Sequence, residues 1–352
     1  MISFNKRVSL YSFILTVLVV WIHSVSPAGP APFPGNVLQD ILGLGLGQIA
    51  VPGFFCLSGY LFFRNYDIRI IGLDPAAAAG FFIRKWKSRF FSLLLPFLIW
   101  NIFYYMVYIL CGRAELSPAG ILEAVVDNAY NPVFWYIKQL IILTLLTPLT
   151  ALIITIRPVG VLSLAAVFMS AVFYDLLPFH IVNEDAYFYY AAGAFSAVHF
   201  KDMIEDRAEG GQNLSLKCRA ALTALLMAVF LISQYLYFAV PFGYRFALFG
   251  AVLGRISGAA ACFLITGMIK AREGKDRLPG FMYFNFFVYA AHYLEIRFFR
   301  LLFVLLGAGP VITETAGFIL MPALCIASSY AVGSVIKRLM PDLYRIVTGG
   351  RS

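Results

Sequence analysis

The chain has 352 residues, of which 61% are hydrophobic and only 13% are charged, and its formal net charge is +9. Soluble domains are typically near half apolar and a quarter charged, so the composition excludes an ordinary soluble protein and predicts one embedded in a membrane. Basic loops on the cytoplasmic side of a membrane account for the positive charge, and we expect no nucleic-acid partner. The five cysteines are widely spaced, so we expect neither a disulfide framework nor a metal site.

A helix needs about 20 apolar residues to cross the bilayer core, and on that basis the sequence predicts an all-α, polytopic membrane protein with about ten transmembrane spans. We expect a single transmembrane domain over residues 1–340, followed by a short cytoplasmic tail over residues 341–352. The ninth span contains Glu295, Arg297 and Arg300, which predict a bend or break in that helix. The predicted spans cover residues 8–26, 41–63, 90–111, 133–155, 158–176, 186–200, 219–240, 246–269, 281–306 and 315–336.

The positions of lysine and arginine predict which side of the membrane each loop faces. With a cytoplasmic N-terminus, 21 of the 27 basic residues fall in cytoplasmic segments, as the positive-inside rule requires. Both termini should therefore be cytoplasmic. The first span follows Lys6 and Arg7 and so also resembles a signal peptide, but prolines interrupt any cleavage motif behind it, and we expect the span to be retained.

The remaining charged residues lie in the predicted outer loops or within the predicted spans. Lys138 and Arg255 lie inside predicted spans and require partners there. Most acidic residues of the outer loops are interpreted as solvated loop charges. These acids are Asp40, Glu115, Glu123, Asp127, Asp175, Glu184, Asp185 and Glu314.

Two histidines lie within predicted spans, where an ionisable side chain is costly and often marks a functional site. At about 1.5 Å per residue, His23 lies about 22 Å along the first span and His292 about 16 Å along the ninth. Both are past the midplane as counted from the cytoplasm, and together they could line one polar cavity. The alternatives are a packing hydrogen bond for His23 and a helical pair with Glu295 for His292.

Four stretches carry short motifs in a fixed order. Residues 51–63 read VPGFFCLSGYLFF, and residues 82–101 read FIRKWKSRFFSLLLPFLIWN. Residues 134–149 begin with FWYIKQ, and residues 284–296 read FNFFVYAAHYLEI. Together with His23, this ordered set resembles the acyltransferase 3 family of membrane proteins over nearly the whole chain.

The resemblance implies a bacterial plasma-membrane enzyme that transfers an acyl group, mainly acetyl, from acetyl-CoA or another acyl-CoA. The implied acceptor is a hydroxyl of a surface polysaccharide or of a lipid-linked glycan precursor, with membrane lipid around the protein. Some family positions are not kept, because Ser12, Ser92 and Asn131 stand where members have arginine, arginine and serine. These departures affect the donor details and the acceptor more than the reaction type.

Acyl transfer to a hydroxyl needs a base for the hydroxyl proton and a group that stabilises the developing oxyanion. We interpret His23 as the base, with His292 and Glu295 as further catalytic candidates. Several groups could stabilise the oxyanion, including backbone N–H groups near Gly59, and the sequence does not choose among them. The predicted substrate-binding residues are Ser58, Tyr60, Trp135, Tyr136 and Arg297.

Four basic residues precede the third span: Arg84, Lys85, Lys87 and Arg89. In part they are a topology signal of the cytoplasmic side. They also form a predicted site for the phosphates of a coenzyme A thioester, because arginine and lysine bind phosphate through charge-assisted hydrogen bonds.

The alternative from another functional class is a transporter or flippase for a glycan or a small anionic solute. Such proteins also have about ten to twelve spans and buried charges, and many show inverted repeats with Gly- or Pro-broken helices in both halves. The sequence shows neither feature clearly, which favours the acyltransferase. Nothing in the sequence predicts an oligomeric state.

Overall fold

The computed structural model describes residues 2–26, 31–67, 74–174, 181–206, 215–239, 244–269 and 278–350. Over these ranges the chain is helical and contains no β-strand, which confirms the predicted all-α class. The main α-helices, in chain order, are α1 (Phe4–His23), α2 (Ala50–Phe63), α3 (Pro75–Arg89), α4 (Leu95–Leu110), α5 (Trp135–Leu145), α6 (Thr147–Thr155), α7 (Arg157–Met169), α8 (Glu184–His199), α9 (Leu216–Ala239), α10 (Tyr244–Thr266), α11 (Asn285–Leu305), α12 (Phe318–Leu339) and α13 (Pro341–Val347).

The chain is a polytopic membrane protein by the length and apolar character of its helices. Among the described residues, six helices are each long and apolar enough to cross a membrane: Phe4–His23, Gly35–Phe63, Pro75–Leu110, Leu216–Tyr237, Ala247–Thr266 and Pro310–Leu339. The helices Pro132–Leu145 and Thr147–Thr155 are long and apolar enough only when taken together, and they are bent by 63° relative to each other. Arg157–Phe173 is a shorter apolar helix, and the two other predicted spans correspond to α8 and α11. The number ten therefore stays a prediction.

The predicted break in the ninth span is wrong. Helix α11 runs without interruption from Asn285 to Leu305, although it contains Glu295, Arg297 and Arg300. All three side chains have polar partners on neighbouring segments. Because each side chain finds a hydrogen-bond partner outside its own backbone, the helix backbone does not have to open to satisfy it.

The described contacts divide the chain into two compact units, and the single-domain prediction stays a prediction. Unit 1 comprises Met1–Leu18, Gly45–Ile83 and Leu145–Leu278. Unit 2 comprises Val19–Leu44, Arg84–Thr144 and Pro279–Ser352.

Unit 1 depends on close approach of α2 and α8. A Cβ added at Gly193 of α8 would lie 1.9 Å from the carbonyl oxygen of Cys56 in α2. A Cβ at Gly59 would lie 2.0 Å from the carbonyl oxygen of Tyr190. Only glycine fits at such separations, and helices in membranes commonly pack through small residues in this way.

A buried ion cluster also belongs to unit 1. Arg7 and Arg219 are 1% and 2% exposed, and both pair with the carboxylate of Asp206. Arg7 donates in addition to the carbonyl oxygen of Ile204. Removing two guanidinium groups from water is costly, and the shared carboxylate offsets that cost.

Unit 2 is built around the pairing of α11 with α12. Tyr104 of α4 donates to the carbonyl oxygen of Ala290 in α11, and Trp100 donates to the carbonyl oxygen of Val347. The bond from Trp100 joins α4 to α13. Helix α13 lies in residues 341–352, which the sequence predicted to be a short tail. Tyr344 of α13 is buried, and its burial raises the pKa of its hydroxyl to about 12.

Candidate active site

Two histidines from different helices of unit 2 lie side by side. The ring centroids of His23, at the end of α1, and His292, in the middle of α11, are 5.3 Å apart. His292 is fully buried, whereas His23 is partly exposed. Within the described part of the chain, His23 forms no hydrogen bond. Of the two rings, His23 is therefore the one that an incoming molecule can reach.

The hydrogen bonding of His292 defines which of its nitrogens carries a proton. Its Nδ1 lies 2.6 Å from the carbonyl oxygen of Tyr289. A carbonyl only accepts, so Nδ1 carries the proton, and Nε2 of the neutral ring has a free lone pair. Nε2 is buried and has no partner among the described residues. A buried, unpartnered acceptor of this kind is uncommon and typical of functional sites.

The predicted alternative of a pair between His292 and Glu295 is wrong. Glu295 instead accepts hydrogen bonds from the hydroxyls of Ser328 and Ser329 on α12, each at 2.9 Å. Both bonds satisfy the carboxylate from the side of α12. Glu295 therefore joins α11 to α12 next to the histidine, without contacting its ring.

The backbone just beyond His23 is held by α11. Arg300 donates from Nη2 to the carbonyl oxygen of Ser24, and the same guanidinium lies 3.5 Å from the carboxylate of Glu314. A carbonyl at a helix end has no intrahelical partner, so the arginine satisfies it. This contact fixes the position of the helix end that carries His23.

A buried amide holds the same segment from a second direction. The backbone N–H of Ser26 donates to Oε1 of Gln39 at 2.9 Å, and Nε2 of Gln39 donates to Oε2 of Glu314 at 2.9 Å. Glu314 thus organises both groups that hold residues 24–26. Its interpretation as a solvated loop charge is wrong, because its carboxylate is only 16% exposed and bonded.

Two more acids interpreted as solvated have partners in unit 1. Asp185 lies 3.9 Å from Arg255, which identifies the partner that this intramembrane arginine requires. Glu184 accepts from the hydroxyl of Ser170 at 2.6 Å. In unit 2, the second intramembrane cation, Lys138, donates to the carbonyl oxygen of Val126.

The predicted substrate-binding pair Trp135 and Tyr136 is split by the fold of α5. Tyr136 is buried and packs edge-on against the ring of Tyr289, 5.9 Å between centroids. Tyr289 in turn lies 5.8 Å from the ring of His292 and donates to the carbonyl oxygen of Val133. Trp135 is 39% exposed. The structure therefore brings Tyr136, but not Trp135, into the aromatic shell of the histidines.

The predicted residues Ser58 and Tyr60 belong to unit 1. The hydroxyl of Tyr60 donates to Glu205 at 3.0 Å, and Arg64 donates to the same carboxylate at 2.6 Å. This bond raises the pKa of the Arg64 guanidinium above its ordinary value. The Tyr60 hydroxyl is thus engaged by a carboxylate of its own unit. Ser58 is partly buried in the same helix.

The four basic residues proposed for phosphate binding lie within six consecutive residues of α3, from Arg84 to Arg89. Arg84 and Lys87 are exposed, and Lys85 and Arg89 are partly exposed. Trp86, between them, donates from Nε1 to the carbonyl oxygen of Thr144 and anchors the helix. Within the described residues, no carboxylate lies within ion-pair distance of Arg84, Lys87 or Arg89. These charges are available to an anion.

No group of three or more metal-binding side chains exists in the part of the chain that the structure describes. The cysteines there are all free.

The chain matches the family described as an acyltransferase domain over residues 13–333. It belongs to the acyltransferase 3 family. A relative is the succinoglycan biosynthesis protein ExoH of Rhizobium meliloti (strain 1021), which is 26% identical over 380 residues. These residues cover 99% of this chain and 93% of that protein. No solved structure matches the chain.

Membership of the acyltransferase 3 family makes the chain an O-acyltransferase-type enzyme rather than the transporter considered as an alternative. The matched region contains both histidines. The sequence motifs of the family did not point to Gln39 or Glu314, because neither lies in one of them. Gln39 lies just before the predicted span over residues 41–63, so the sequence offered no specific signal for it.

Proposed function

We propose that the protein is a membrane O-acyltransferase that moves an acyl group, acetyl in the family's usual reaction, from an acyl-CoA. The acceptor is a hydroxyl of a surface polysaccharide or of its lipid-linked precursor. Family membership supports the reaction type, and a relative named for succinoglycan biosynthesis supports the polysaccharide. The observation that carries the proposal is the pair of adjacent rings of His23 and His292.

In this proposal, His23 takes the proton of the acceptor hydroxyl while the hydroxyl oxygen attacks the thioester carbonyl carbon. The tetrahedral intermediate collapses by breaking the carbon–sulfur bond, and the proton on His23 passes to the leaving thiolate. The products are the ester and free coenzyme A, and the imidazole is neutral again. The partial exposure of His23 supports this assignment, since a general base must reach the proton that it removes.

His292 is assigned a supporting part. Its ring is buried and so does not meet the acceptor, but it packs beside the ring of His23, with 5.3 Å between the centroids. In this proposal His292 holds the ring of the base in position. Glu295, Tyr136 and Tyr289 hold the helix and the ring in place.

We propose that the phosphates of the donor bind to Arg84, Lys87 and Arg89 of α3, with Lys85 nearby. These three residues have no carboxylate within ion-pair distance among the described residues, and such groups bind phosphate well, arginine in bidentate geometry. The proposal puts this helix at the cytoplasmic face, where acyl-CoA is made, and the distribution of basic residues supports that side. The proposal includes about ten spans, both termini in the cytoplasm and a location in the bacterial plasma membrane, which the family of the chain supports.

The test is mass spectrometry of the surface glycans of cells with and without this gene, complemented either by the wild-type chain or by the His23→Ala variant. The expected result is an acyl mass shift that the deletion abolishes, the wild-type chain restores and the His23→Ala variant does not. The mass of the lost group identifies the acyl chain, and fragmentation identifies the sugar. Unchanged glycans in the deletion strain would overturn the proposed acceptor.

A further inference from the structure

One arginine of α11 carries a charge that no acidic group of the described chain neutralises. Arg297 donates from Nη1 to the hydroxyl of Tyr108 and from Nη2 to the hydroxyl of Tyr293. No carboxylate among the described residues lies within ion-pair distance of it. By contrast, Arg300, three residues further along, is paired with Glu314. The charge of Arg297 therefore remains available.

The exposed guanidinium of Arg297 is held in a defined position. It lies over the ring of Tyr293, 4.4 Å from the centroid, and 5.8 Å from the ring centroid of Tyr108. The ring of Tyr130 adds to the cluster at 5.2 Å from Tyr108. A long side chain on a surface normally loses entropy when it binds a ligand. Here the phenol rings and hydroxyls already order the guanidinium of Arg297, so less entropy remains to be lost.

We propose that Arg297 and the rings of Tyr108, Tyr130 and Tyr293 form a subsite for an anionic group of the glycan acceptor. The proposal rests on the proposed function. A guanidinium binds carboxylate or phosphate through charge-assisted hydrogen bonds, and tyrosine offers a rigid apolar face with a polar edge. A saccharide that carries an acidic group presents the matching features, a ring face beside an anion.

The position of this tyrosine–arginine subsite relative to the histidines fits an acceptor longer than one sugar. Arg297 is five residues beyond His292 on the same helix, a rise of about 7.5 Å. His292 faces the interior of unit 2, and Arg297 faces its surface. The subsite would therefore hold a part of the acceptor next to the reacting sugar and would not contact the reacting hydroxyl.

The anion could come from an acidic sugar or from the phosphate of a lipid-linked precursor. The experiment uses the full chain in phosphatidylcholine nanodiscs, without acyl donor, and measures the affinity for three probes. They are a tetrasaccharide of alternating glucuronate and N-acetylglucosamine, the neutral N-acetylglucosamine tetrasaccharide, and a polyprenyl phosphate incorporated in the disc. The variant is Arg297→Gln, and the matched control is Arg113→Gln, an exposed arginine of the adjoining loop.

We expect Arg297→Gln to weaken binding of the acidic tetrasaccharide ten- to a hundredfold, with Arg113→Gln unchanged and the neutral tetrasaccharide unaffected by either. If the loss appears only with the polyprenyl phosphate, the anion is the precursor phosphate, which also supports the subsite. If Arg297→Gln binds both anionic probes with wild-type affinity, the proposal is overturned. Arg297 is then interpreted as a side chain that anchors α11 at the membrane interface. An equal loss in Arg113→Gln would overturn it as well.

The contribution of the rings is tested separately by Tyr130→Leu. The expected result is a loss of a few-fold for the acidic tetrasaccharide, and an unchanged affinity would remove the rings from the subsite. These binding measurements contain no acyl donor, so a negative outcome argues against the subsite and not against acyl transfer by His23. Conversely, a failure to detect acyl transfer in a separate assay would leave the measured affinities for the glycan probes unchanged.

Discussion

The guanidinium of Arg300 lies 3.5 Å from the carboxylate of Glu314. Through this pair, Arg300 is directed to the carbonyl oxygen of Ser24, the residue that follows His23. Neither Arg300 nor Glu314 belongs to a sequence motif of the family, yet the pair holds the helix end on which the proposed base lies. Its value to the enzyme is positional.

The first prediction concerns this positioning. Glu314→Gln keeps the shape of the side chain but removes the charge that orients Arg300, so the end of α1 gains freedom. A displacement of about 1 Å at a reacting group can cost about a hundredfold in rate. We expect a ten- to hundredfold fall in kcat for acyl transfer with an unchanged affinity for acyl-CoA. Glu115→Gln, at an exposed loop acid, is the control and should match the wild type. A Glu314→Gln variant with wild-type kcat would refute the positioning role.

The second prediction concerns the buried cluster of unit 1. Asp206→Asn leaves Arg7 and Arg219 buried without a counter-charge. Breaking a buried pair by removing one partner typically costs about 3–5 kcal/mol. Thermal denaturation in detergent should show a large loss of stability. Asp342→Asn, which removes the exposed partner of Arg345, should leave the transition where it is, since exposed pairs contribute little. Equal effects of the two substitutions would argue against the cluster.

The third prediction concerns the packing of α2 against α8. The methyl group of Gly193→Ala would overlap the carbonyl of Cys56, and backbone cannot yield as a flexible side chain can. Overpacking costs about 1–3 kcal/mol where the surroundings adjust, and more is expected here. Gly250→Ala is the control, because the nearest atom to its Cβ is 4.0 Å away. We measure the amount of each variant in the membrane and its melting temperature, and we expect both to fall for Gly193→Ala only. A Gly193→Ala protein as stable as Gly250→Ala would contradict the close approach of α2 and α8.

The fourth prediction concerns the donor. Arg89→Ala or Lys87→Ala should weaken binding of acyl-CoA ten- to a hundredfold, the loss expected for one charge-assisted hydrogen bond of about 1.5–3 kcal/mol. Titration of acyl-CoA against protein in nanodiscs measures it. Arg113→Ala should bind as the wild type does. If all three variants bind equally well, the phosphates lie elsewhere.

The sequence predicted the helical class and the approximate positions of six apolar helices long enough to cross a membrane, because a membrane span requires a long run of apolar residues. It did not predict the 63° bend between Pro132–Leu145 and Thr147–Thr155, because the bend depends on packing. It also placed His23 and His292 at comparable depth, and the structure brings their rings together. Depth follows from counting residues along a helix. Which face of α11 meets α1 does not, since that depends on side-chain packing over more than 260 residues of separation.

The same limit explains the residues that the sequence interpretation missed. Glu314 looks like any loop acid until Gln39 is seen beside it, 275 positions away in the chain. Similarly, helical spacing alone offered a pair between Glu295 and His292 as an alternative, whereas Glu295 binds the hydroxyls of α12 instead. Local spacing shows which contacts are possible, and tertiary packing decides which of them form.

The central claim is that His23 is the base of an acyl transfer from acyl-CoA. The most direct measurement is the rate of transfer from radiolabelled acyl-CoA to purified acceptor glycan, by wild-type protein and by His23→Gln, both in nanodiscs. We predict a rate lower by about 10²–10⁴-fold, the range for loss of one general base, with unchanged melting and unchanged acyl-CoA affinity. A well-folded His23→Gln protein that transfers the label at a rate near that of the wild type would contradict the account.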